Sequence, residues 1–142
     1  MANANFPSAR LFNYSFDPVM VCGSFEIDTG AIVAATIHAD GLMPDAPLGV
    51  NPCLTYTAAG NYLVNLRDRF RHMISATVSI EFASGTPNVD LVPRIGVVTT
   101  GAAAANTVQL CCTTTGGPAL ADPANGNRIN FMFILSNNMQ DM

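Results

Sequence analysis

Met73-Ile74-Ser75-Ala76-Thr77-Val78-Ser79-Ile80-Glu81-Phe82 reads as two interleaved rows. Ile74, Ala76, Val78, Ile80 and Phe82 alternate with Met73, Ser75, Thr77, Ser79 and Glu81. Successive side chains of a strand point to opposite faces, so this stretch describes a sheet with one apolar and one polar side. The same rhythm runs outward in both directions. Upstream, Tyr62, Val64 and Leu66 alternate with Asn61, Leu63 and Asn65. In Pro18–Ile27, Val19, Val21, Phe25 and Ile27 oppose Met20, Cys22, Ser24 and Glu26. Asp28-Thr29-Gly30 breaks that run, and Ala31–Ala39 follows at once, which predicts an antiparallel hairpin. Downstream, Val89–Val98 offers Val89, Leu91, Ile95 and Val97 inward; its Pro93 cannot donate to a ladder, which predicts a sheet edge or a bulge. Thr107–Thr115 turns Val108, Leu110 and Cys112 inward, and Arg128–Ser136 does the same with Ile129, Phe131, Phe133 and Leu135. No window sustains the spacing of an amphipathic helix.

The fold class is therefore all-β, an antiparallel β-sandwich or jelly-roll-like barrel of about seven or eight strands, with the jelly roll favoured. Residues 1–17 form an N-terminal arm and residues 18–142 a single β domain. Three stretches lack the alternation: Met1–Asp17, the Pro-rich Asp40–Gly60, and Gly116–Asn127. Long irregular segments on a rigid sheet core are the natural places for contacts with other chains.

Composition narrows the partners. The chain has 142 residues, of which 49% are hydrophobic and 11% charged, enough apolar weight for one ordered core. Its net charge of −4, with 10 acidic residues against 6 basic, opposes binding of nucleic acid through phosphate neutralisation. All the basic residues are arginines: Arg10, Arg67, Arg69, Arg71, Arg94 and Arg128. A polar but sparsely charged exterior favours association, so a component of an assembly is expected. The first residues carry neither a basic n-region nor an apolar h-region, so no secretory signal is expected there. No apolar run is long enough for a membrane helix, and no membrane partner is expected. The cysteines Cys22, Cys53, Cys111 and Cys112 lack metal-type spacing and read as reduced thiols, the vicinal pair facing opposite ways.

Candidate site residues follow from charge and exposure. Arg67-Asp68-Arg69-Phe70-Arg71-His72 is the one charged cluster in the sequence, and in an extended chain its three arginines share a face. Guanidinium forks bind carboxylates in a bidentate manner, so Arg67, Arg69 and Arg71 are candidates for a partner surface; the plainer alternative is a solvated strand connection. In the arm, Arg10, Phe12 and Tyr14 are the candidate partner contacts. Met132 and Ile134 make the second face of the last strand apolar, which predicts cover by the domain's own loops or by a sister subunit around a three-fold axis. His38 with Asp40, and His72 with Asp68, could each orient an imidazole, yet no nucleophile motif, zinc motif or phosphate loop accompanies them. The expectation is no enzyme, no catalytic residue, no metal and no cofactor.

Ala59-Gly60-Asn61-Tyr62-Leu63-Val64-Asn65-Leu66-Arg67-Asp68-Arg69-Phe70, then Met73-Ile74-Ser75-Ala76-Thr77-Val78-Ser79, then a closing strand ending in Ser136-Asn137-Asn138, carry a resemblance. This order is similar to small β-rich virion proteins of tailed bacteriophages, over roughly the carboxyl-terminal 85 residues. The resemblance implies a capsid decoration or cement protein, made in the host cytoplasm and bound outside the phage head. It would act as a homotrimer bridging major capsid proteins, with affinity built from multiple contacts. The alternative is a receptor- or glycan-binding tail or spike domain. Sugar sites usually stack an exposed aromatic on the ring, and this chain has no Trp and three tyrosines, Tyr14, Tyr56 and Tyr62.

Overall fold

The computed structural model describes residues 18–40, 53–66, 70, 72–83, 85, 90–100 and 106–136. The chain is all-β, as its alternation predicts. The strands are β1 (Pro18–Asp28), β2 (Ala31–Ile32), β3 (His38–Asp40), β4 (Leu54–Ala58), β5 (Asn61–Asn65), β6 (His72–Glu81), β7 (Leu91–Thr99), β8 (Thr107–Thr114) and β9 (Arg128–Ser136). One sheet runs β2-β1-β9-β6, with β3 also on β1; the other runs β4-β5-β8-β7. Every pairing is antiparallel. The two sheets stack without a shared ladder, so the sandwich forms rather than a closed barrel. Pairing is nested: β1 lies on β9, and β5 lies on β8, as when one long hairpin is rolled up.

The core lies between the sheets. Val21, Phe25, Ile27, Ile129, Phe133 and Leu135 of the first sheet are buried against Leu54, Tyr62, Val64, Val108, Leu110 and Cys112 of the second. The inward rows predicted for β1, β5, β8 and β9 are the buried ones. Phe25 meets Tyr62 across the layer at 5.3 Å between ring centroids, a tilted contact of the favoured kind. Gly23 interrupts the inward row of β1 because a Cβ there would lie 2.6 Å from Phe131 Cζ and 2.7 Å from the His38 carbonyl. The missing side chain makes room for the Phe131 ring.

Four departures from the sequence reading have local causes. Thr29 (φ 50°) and Gly30 (φ 71°) are both left-handed, which gives β1 and β2 the tight turn that suits strand twist. The partner strand is not continuous, however: a 3-10 turn at Ala34–Thr36 splits it into β2 and β3. The Thr36 hydroxyl accepts from the Glu26 N–H (2.9 Å) and donates to the Val33 carbonyl (2.8 Å), so the break leaves those groups satisfied.

Second, β5 and β6 belong to different sheets, so the segment holding Arg67, Arg69 and Arg71 crosses between layers. Leu66 and Phe70, buried on either side of the arginines at 67 and 69, anchor that crossing.

Third, β6 bulges between Met73 and Ser75, which turns Met73 toward the core and leaves Ile74 47% exposed. Phe82, beyond the strand end, is equally exposed, so neither joins Ala76, Val78 and Ile80 in the core as the alternation implied. β7 behaves alike: it is an edge strand, as Pro93 required, and it bulges between Ile95 and Val98. Val98 rather than Val97 therefore faces in, Val97 is 68% exposed, and the Gln109 amide oxygen accepts from the Val97 N–H at 2.9 Å. Val89 lies outside the described residues.

Fourth, β4 occupies part of Asp40–Gly60, where a loop was predicted. Four of its five residues are small or hydroxylated or exposed, so its alternation is faint; the turn at Gly60 (φ 64°) sets it beside β5. The four cysteines are free thiols, Cys53 and Cys112 buried, Cys22 and Cys111 half-buried.

Candidate interaction face

The outer faces of the two sheets differ in kind. On the four-stranded sheet, polar side chains satisfy one another: Gln109 donates to Asn61 at 2.8 Å, Asn65 to Thr55 at 3.0 Å, and Arg94 to Thr113 at 3.1 Å. Such a surface is complete in water.

The five-stranded sheet carries four cross-strand rows on its outer face. Ladder register aligns Glu26 with Arg128 and Glu81, Ser24 with Asn130 and Ser79, Cys22 with Met132 and Thr77, and Met20 with Ile134 and Ser75. At the charged end, Arg128 pairs with Glu26, and Asn130 donates to Glu81 at 3.4 Å. At the other end the face is apolar. Met20 is 58% exposed, Met132 38%, and the bulge adds Ile74; Ile134 and Cys22 are half-buried beside them. The predicted subunit-contact residues Met132 and Ile134 thus lie together on this patch. Met20 was already legible as outward from the β1 alternation, whereas Ile74 was not, because a bulge leaves no mark in the period.

Pro18, Ser136 and His72 stand level with one another at the apolar end. The arm, the carboxyl-terminal tail and the arginine-bearing crossing therefore all join the sheet beside the patch. The candidate contacts Arg10, Phe12, Tyr14, Arg67, Arg69 and Arg71 themselves lie outside the described residues, as does Asp68.

Next to the apolar rows, Cys22, Gly23, Ser24, His38, Asn130 and Phe131 line a depression of about 240 Å³. β3 sets His38 opposite Ser24 and Asp40 opposite Cys22, the shared face that their two-residue spacing predicted. Thiol, hydroxyl, imidazole and amide stand side by side there, and no hydrogen bond joins His38 to Cys22 or Ser24 among the described residues.

A carboxylate missed by the sequence reading organises the far end of the molecule. Asp122 Oδ1 accepts from the Gly60 N–H (2.6 Å) and the Tyr62 hydroxyl (2.7 Å), and Oδ2 accepts from the Tyr56 hydroxyl (3.0 Å). These bonds pin the Gly116–Asn127 loop to the β4–β5 turn. Burial, and then donation to Asp122, raises the pKa of Tyr62 well above the ordinary tyrosine range. Neither residue type nor spacing signals this triad, because its members are 60 and 66 residues apart.

Comparison with protein families, with curated proteins and with solved structures finds no match to this chain.

Proposed function

We propose that the protein is a non-enzymatic virion structural subunit, a capsid decoration or cement protein that binds the outside of a phage head. In this reading it assembles as a homotrimer through the apolar end of its five-stranded sheet and stabilises contacts between major capsid proteins. The observation that carries the proposal is the contrast between the two outer faces. One is a finished polar ladder; the other leaves Met20, Ile74 and Met132 exposed in one cluster, of the kind that marks protein contact sites. Three segments leave the sheet beside that cluster, so docking on the patch places the arm and the arginine crossing next to the same neighbour. The sparse surface charge and the virion-protein resemblance support the same reading. The test is co-sedimentation of the purified protein with heads that lack it, alongside its mass in solution. Binding by a trimer is expected; a stable monomer that leaves heads bare would defeat the proposal.

A second reading, glycan attachment, draws on Tyr56. Its ring is 36% exposed beside Asp122, an aromatic next to a carboxylate acceptor. A glycan array probed with the purified protein tests it, and Tyr56→Ala should abolish any signal.

A further inference from the structure

β6 is the outermost strand of its sheet, with β9 as its one ladder partner among the described residues. It is also the least protected edge. Natural edges are blunted by proline, inward charge or shortness, and β7 uses Pro93 and a bulge. By contrast β6 runs ten residues, His72–Glu81, with no proline and no charge between its ends. Its inward residues Ala76, Val78 and Ile80 pack on the core yet stay half-buried, whereas Ile129, Phe131, Phe133 and Leu135 on the adjoining β9 are buried. The core is short of cover along one line, and that line borders an open ladder.

The arm has the composition to supply both. Although Met1–Asp17 as a whole is irregular, its last part, Arg10-Leu11-Phe12-Asn13-Tyr14-Ser15-Phe16-Asp17, alternates: Phe12, Tyr14 and Phe16 against Asn13, Ser15 and Asp17. Three aromatics on one face match three half-buried residues on β6. We infer that residues Arg10–Asp17 of a second copy add to the free edge of β6 as an extra antiparallel strand, their aromatic row closing the core over Ala76, Val78 and Ile80.

Geometry favours a second copy over the same chain. Pro18 is on β1, and β9 separates β1 from β6. Reaching the far side of β6 means crossing three strand spacings, about 14 Å. At roughly 3.3–3.6 Å per residue this consumes about four residues, and Tyr14 and Phe16 would be spent in the crossing. A neighbour's arm meets no such loss, and arms passed from copy to copy close naturally in a ring. This inference rests on the reading of the protein as a self-associating subunit, which solution mass tests separately.

The test is amide hydrogen exchange across His72–Glu81 in the full chain and in a chain lacking residues 1–17, with mass measured on the same samples. The expected result is exchange about tenfold or more slower in the full chain, protection that fades on dilution as the oligomer dissociates, and its loss on truncation. The full-length triple variant Phe12→Ser, Tyr14→Ser, Phe16→Ser should behave like the truncation, and it serves if the truncated chain fails to fold. Equal exchange along β6 in an oligomer with and without the arm overturns the inference but leaves self-association standing. Arm-dependent protection that dilution does not change places the arm on its own chain and overturns the second copy. A monomer with unprotected β6 overturns both readings.

Discussion

At Gly60 the backbone sits at φ 64°, and an added Cβ would lie 2.6 Å from the Ala121 N and O atoms and 2.7 Å from the Cys112 carbonyl. Those are backbone atoms and cannot swing aside, so Gly60→Ala should cost roughly 3 kcal/mol or more in urea unfolding. Gly85 has the same left-handed sign (φ 82°) with open space around it, and Gly85→Ala should cost only roughly 1 kcal/mol. The difference between the two variants isolates crowding from backbone strain. Cys112 supplies a second prediction. Burial, helped by Cys111 and Asp122, pushes its thiol up from 9.0 to about 12. Between those values the unfolded chain ionises and the folded chain does not, so stability is full below the unfolded value and falls as pH rises. The raised Tyr62 acts in the same direction at still higher pH. From neutral to about pH 10 the unfolding free energy should drop by about 1 to 2 kcal/mol, and Cys112→Ala should remove most of that slope. Unfolding curves that coincide at the two pH values would place the thiol in a more solvated setting.

Elements show where sequence carries structure and where it does not. β1, β5, β8 and β9 were legible because their inward rows alternate without interruption and end up buried. β4 was hidden because only Leu54 among its residues is buried, so the period has no contrast to read. The bulges of β6 and β7 were hidden for another reason: one extra residue reverses the faces beyond it, and Ile74 and Val97 look like core residues until the partner strand fixes register. The split of β2 from β3 depends on the Thr36 hydroxyl standing in for a backbone acceptor of the Glu26 N–H. Thr36→Val keeps the shape and removes that acceptor, and should cost about 1 to 2 kcal/mol, while Thr36→Ser should cost less. Equal losses in both variants would assign the role to packing of the methyl group. Ile74→Thr tests the outward bulge, since it should change unfolding stability by less than about 0.5 kcal/mol.

On the scale of the whole molecule, the sandwich has one outer face that is complete and one that is not. The sequence alone located part of the unfinished face, because Met132 and Ile134 make the last strand apolar on both sides; register then gathered Met20, Cys22 and Ile74 around them. The arginine crossing and the arm were chosen from composition, and what the fold adds is that both join the sheet at this same end. Charge placed on the patch should therefore weaken association without unfolding the domain, because these side chains lie outside the core. The most direct measurement is the solution mass, by light scattering, of the native chain beside the Met20→Asp, Met132→Asp double variant. A trimer that falls to a folded monomer in the variant is the predicted outcome; a native monomer, or a variant whose assembly is unchanged, would contradict the assignment of this face as the subunit contact.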